Sequence, residues 1–165
     1  MTFTLVDEPP DRAAFTREAT AAIAGEIRRG RDRLLAAVGA ATDEAIAAGT
    51  DDDWGVGQVA LHLLTVERGI VGIAARLARG EPPGPTGQPR PKAGSATRAG
   101  IASLASKAEE RLARLIAEFP AEPNTTATAR QPYYGDMNCF GWLLAIPIHY
   151  TAHLDALDRG AKSAM

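Results

Sequence analysis

Apolar residues recur at helical spacing in four stretches of this chain, and the period-two alternation of a half-buried strand is nearly absent. The cleanest stripe is Ile101, Leu104, Ala108, Leu112, Leu115 and Phe119, with Glu109, Glu110, Arg111 and Arg114 as its solvated side. Residues three and four apart share one face of a helix, so each stripe needs a partner to cover it. Four helices that cover one another make an all-α four-helix bundle. At 165 residues the chain is long enough for one domain, 1–165, to bury a sizeable core.

Local signals place the elements. A first helix is expected over 12 to 41, capped by Asp11 after Pro9 and Pro10, with Phe15, Ala19, Ile23, Ile27, Leu34 and Val38 turned inward. Gly25 and Gly30 weaken it by roughly 1 kcal/mol each relative to alanine. Residues 42 to 54 connect onward, with one short turn around Asp43 to Ala47. The second helix runs from about Val56 to Arg79, with Gly55 at its N-cap, Gln58 as the reciprocal partner and Gly80 as its stop. Asp51, Asp52 and Asp53 set negative charge against its N-terminus. Five prolines and three glycines make 81–95 a loop. Ser95 or Thr97 opens the third helix and Pro120 ends it. Residues 120 to 135 are irregular, with a short extended piece at 125–129. Asp136 then caps a fourth helix, Met137 to Arg159, stopped by Gly160. Long loops therefore separate helices 1 and 2, 2 and 3, and 3 and 4, and they permit a crossover topology.

Composition excludes several classes. A net charge of −2 gives no field to attract nucleic acid or an anionic membrane. The start, MTFTLVDEPPDR, lacks the flank and apolar run of a signal peptide, and no run of 18 apolar residues spans a membrane. Cys139 is the sole cysteine and forms no internal disulfide, which fits a cytoplasmic location.

The three histidines are distributed unusually. His62 lies in the second helical stretch among Val59, Leu63, Val66, Ile70, Ile73 and Leu77, and His149 and His153 lie four apart in the fourth, as H-Y-T-A-H. On a helix that spacing points two imidazoles the same way, with Cβ atoms roughly 6 Å apart. A buried histidine is usually a satisfied core residue, and an isolated H-x-x-x-H pair arises by chance. Three of them on the apolar sides of two helices leave several ring nitrogens needing partners. A shared cation supplies one partner to each ring and leaves coordination positions open. Such ligands suit a divalent metal, Zn²⁺ or Ni²⁺ foremost, with Fe²⁺ or Co²⁺ admitted by the same donors. Gln58, one turn before His62, can reach a ligand or serve only the cap; Trp54, Trp142, Tyr133 and Tyr134 can wall a pocket or fill the core. Glu67 and Asp155 point elsewhere, solvated or paired, and Cys139 sits about 15 Å along the helix from His149. Pro147 interrupts that helix two residues before His149, bending it for packing or aiming the ring.

The stretch W-G-V-G-Q-V-A-L-H-L at 54–63 resembles the tryptophan-to-histidine signature that opens the second helix of DinB-like proteins. The stretch I-P-I-H-Y-T-A-H-L-D-A-L at 146–157 resembles their last-helix motif. The resemblance implies a DinB-like four-helix bundle, a divalent metal on His62, His149 and His153, and often a homodimer. It also implies a relation to bacillithiol S-transferases, mycothiol-dependent maleylpyruvate isomerases and ergothioneine-pathway enzymes. Characterised relatives activate a low-molecular-weight thiol at the metal. Gly55 stands where relatives often cap with Ser or Thr, and His149 stands where the isomerases tend to carry a carboxylate. Heavy use of Ala, Arg and Gly fits a GC-rich genome and hence mycothiol as the thiol. The expectation is a metal-dependent thiol S-transferase that takes a small thiol and an electrophile, with Trp54, Gln58 and Trp142 near the substrate. The alternative is a non-catalytic metal-binding or dimeric stress protein of the same fold.

Overall fold

The computed structural model describes residues 11–85 and 87–163; the N-terminal tail, with Pro9 and Pro10, lies outside the described residues. The elements run α1 (Arg12–Ala40), α2 (Asp43–Ala47), α3 (Val56–Ala78), α4 (Arg98–Glu118), β1 (Ala129–Gln131), β2 (Gly135–Met137) and α5 (Cys139–Ser163). Helices α1, α3, α4 and α5 form the expected four-helix bundle, and α2 is the short turn expected around Asp43. The strands are a small antiparallel hairpin in the last connection, beginning where the extended piece was expected to end.

Caps explain most boundaries. The Asp11 carboxylate accepts from the backbone N–H of Ala13 and Ala14, and the Thr97 hydroxyl accepts from Gly100. At the end of α3, Gly80 takes φ +73° while its N–H donates to Leu77 and that of Glu81 donates to Arg76, so the chain turns off through a left-handed glycine. Asp136 does not cap the last helix. It lies in β2, and Asn138 takes the role, its side chain accepting from Gly141 at 3.1 Å. Gly160 does not stop that helix either, since α5 continues to Ser163. A glycine carries a stop only where the chain turns left-handed, and Gly160 shows no positive φ.

The inner face of α1 differs from the expected stripe. Phe15 is 67% exposed, and the inward positions there are Thr16 and Thr20, followed by Ile23, Ile27, Arg31, Leu34 and Val38. Thr20 can be buried because its hydroxyl donates to the Thr16 carbonyl at 2.8 Å. Helix α3 is long and apolar enough to cross a membrane by length and composition alone, yet it buries most of that surface against the other helices.

Helix directions follow from who meets whom. Gly57 lies against Ala96 and Gly72 against Arg111, so α3 and α4 run parallel. Trp54 packs near His153 while Glu67 meets Tyr150, so α5 opposes α3. Arg98 reaches the carbonyls of Val38 and Ala41 while Glu109 pairs with Arg28, so α4 opposes α1. The loop from α3 to α4 must then return the whole length of α3. That return carries Pro89 and Pro91 past the first turns of α3, where the site forms.

Candidate metal centre

Helix α3 supplies His62, 6% exposed, and α5 supplies the half-buried His149 and His153. Their Nε2 atoms converge. His149 Nε2 lies 3.2 Å from that of His62 and 3.0 Å from that of His153. One ligand atom from each ring falls within 4.8 Å of the others. An ion with metal–nitrogen distances near 2.1 Å sets neighbouring ligand nitrogens about 3.0 Å apart at a right angle and about 3.4 Å apart at the tetrahedral angle. The donor set fits a divalent cation on those grounds.

The protons agree. His62 Nδ1 sits 2.7 Å from the Pro89 carbonyl, which can only accept, so Nδ1 carries the hydrogen and Nε2 presents its lone pair to the cluster. A single ring proton on His149 cannot serve both of its neighbours well, whereas a shared cation serves all three. Burial, aided by the like charge of His153 and His62, lowers the His149 pKa to about 4; burial likewise lowers those of His62 and His153. The rings are therefore neutral and ready to ligate near neutrality. Metal uptake at pH 6.5 should release fewer than the about 1.5 protons expected of three rings each titrating at 6.5. Calorimetry in two buffers of different ionisation enthalpy measures that number.

The cluster lies at the wall of a cavity of about 810 Å³. Val66, Ile70 and Ile73 of α3, Ala145 and Ala152 of α5, and the hairpin tip bound it. Trp54 lines it with its ring centroid 5.0 Å from that of His62 and stacked at 6.4 Å on His153. Trp142 lines it too, anchored by an Nε1 bond to the Ala129 carbonyl. Tyr133 and Tyr134 are exposed at the mouth, held in their turn by backbone bonds to the Gln131 side chain. Gln58 is elsewhere. Its amide accepts from Gly55 N–H and donates to the Thr50 and Pro91 carbonyls, so it closes half a capping box and pins two loops. No cysteine or carboxylate joins the three rings among the described residues, which leaves the cavity side of the cluster open.

Glu67 is buried and paired, and Asp155 pairs with Arg33 on the surface. Cys139 is buried at the start of α5, donating to the Asn124 carbonyl, with its thiol pKa pushed up by burial. Sequence reasoning missed the Pro89 carbonyl, because a main-chain acceptor has no residue-type signature. Ala145 and Ala152 had a signal: small residues on the His149 face leave room for a ligand.

Parallel α3 and α4 with three imidazoles facing a cavity define a class of small helical bundle suited to holding one cation. The DinB superfamily profile matches residues 26–157, and the chain belongs to that superfamily. Its fold is similar to that of TT2238, described as a four-helix bundle protein, at a TM-score of 0.65 and 22% identity over 85% of this chain and 98% of that one. No curated protein matches the chain.

Proposed function

We propose that this protein is a metal-dependent thiol S-transferase. The observation that carries the reading is the convergence of three Nε2 atoms on the wall of a largely apolar cavity, with no fourth protein ligand among the described residues. A divalent cation held by His62, His149 and His153, Zn²⁺ or Ni²⁺ foremost, would supply Lewis acidity that favours a bound thiolate. The chain's own groups do the rest. Pro89 holds the His62 ring in one tautomer. Trp54 and Trp142 offer flat apolar walls to an electrophile, and the aliphatic lining of α3 excludes water. In the transfer, the sulfur–carbon bond forms as the carbon–leaving-group bond breaks, and the thiol proton passes to solvent at the tyrosine-lined mouth. The thiol is mycothiol or a close relative, and the compartment is a reducing cytoplasm.

Metal-loaded protein, mycothiol and a chloronitroarene test this directly. The expected result is thiol-dependent product formation above the uncatalysed rate, abolished by a chelator and restored by metal. Product formation at the uncatalysed rate with metal bound would sink the reading. That outcome would favour a non-catalytic dimeric protein, for which Leu144 and Ile148, half-exposed and four apart on α5, offer an apolar face to a second copy.

A further inference from the structure

A second concavity, of about 490 Å³, lies between α3 and α4 and shares no residue with the histidine cavity. Its walls carry Arg68, Arg76, Arg79, Arg111, Arg114 and Lys107, against the two carboxylates of Glu110 and Glu118. Arg79 is paired with Glu81. The side chains of Arg68, Arg76, Arg111 and Arg114 have no ion-pair or hydrogen-bond partner among the described residues, although those of Arg28, Arg31 and Arg33 elsewhere are each paired. Glu110 accepts from the Ser106 hydroxyl rather than from an arginine.

Two further details point to a ligand. Arg68 Nε is a buried donor with no hydrogen-bond partner, and no other buried side-chain nitrogen or oxygen among the described residues is left so. A buried charged donor without an acceptor is costly, so an acceptor is expected there. Arg111 lies across α3 at Gly72, where an added Cβ would sit 2.3 Å from its Nη2. The glycine thus provides the seat for that guanidinium.

We propose that this groove binds a small molecule bearing two or three phosphoryl groups. Guanidinium forks match phosphoryl oxygens bidentately, and several of them in one groove select a multiply charged anion. The volume is that of a small-molecule site. The net charge of −2 offers no field to hold a long polyanion. That negative total also hides the local excess of cations.

Inorganic pyrophosphate is the probe, titrated by calorimetry into the full chain in chelator-treated buffer. Saturable one-to-one binding is expected, weaker at higher salt and tighter than orthophosphate. Arg111→Gln, at an exposed position that does not threaten the fold, should weaken it about tenfold, and Arg68→Gln similarly. His153→Ala should leave it unchanged. Absence of saturable binding, equal affinity in Arg111→Gln, or loss of binding in His153→Ala would each overturn the assignment, the last by moving the anion to the histidine cluster.

Discussion

His153→Ala should reduce bound metal from about one ion per chain to a trace and weaken affinity by at least about a hundredfold, since even outer groups around a metal site contribute ten- to a hundredfold. The reason is geometric. His149 Nε2 stands between the other two, so loss of His153 leaves only the 3.2 Å pair that bridges two helices. The half-buried ring contributes little to the core, so the helical circular dichroism should persist. Saturating metal should raise the stability of the parent protein by about 2.7 kcal/mol at a hundred times Kd, and this gain should vanish in the variant. Elemental analysis with a competing chromophoric chelator measures the first effect, and thermal melts with and without metal measure the second. Equal metal content in parent and variant would remove the centre.

Arg31→Leu should destabilise the bundle by about 3–5 kcal/mol, more than a surface arginine warrants. Arg31 is buried in the middle of α1. Its Nη2 donates to Glu67 at 3.0 Å and its Nη1 to Glu109 at 2.6 Å, and the Tyr150 hydroxyl donates to Glu67 at 2.6 Å. Glu67 is almost wholly buried, and burial already raises its pKa against the opposing pull of Tyr150 and Arg31. Removing Arg31 strands the carboxylate with a tyrosine alone and raises that pKa further. A group whose folded pKa is raised contributes most below its unfolded pKa, and that contribution is lost as pH rises through the folded value. The deficit of Arg31→Leu should therefore be largest at neutral pH and shrink on acidification towards pH 4.5. The pair Arg31→Leu with Glu67→Leu should lose less than the sum of the single changes. Urea melts at several pH values read both effects, and strict additivity would show that the two residues are not coupled.

Much of this molecule is legible from residue types because the governing forces are local. The α4 stripe, the Asp11 cap, the α2 turn and the Gly80 stop each depend on neighbours within about a turn, and the structure keeps all four. Misplaced features depend on distant partners. Phe15 satisfies the apolar pattern, but the covering helix selects the phase that turns Thr16 and Thr20 inward. Arg31 looks like a surface cation until Glu67 and Tyr150, from two other helices, give its guanidinium acceptors in the core. Asp136 is a sound cap candidate by type, but the hairpin captures it and leaves Asn138 to begin α5. The arginine groove stayed hidden because α4 alone presents Arg111 and Arg114 as an ordinary solvated face. Only the parallel α3 brings Arg68 and Arg76 beside them.

The chain's own order of residues settled that His149 and His153 share a face, because four residues make about one helical turn. It settled equally that four amphipathic helices must bury their stripes together. Where His62 sits relative to that pair was decided by tertiary packing. The antiparallel register of α3 on α5, the Gly30 notch into which Tyr150 fits, and the return loop that brings Pro89 to the ring are contacts between segments far apart in sequence. Local periodicity carries no information about such pairings, because each is selected by the steric and polar complementarity of surfaces that exist only after the helices have formed.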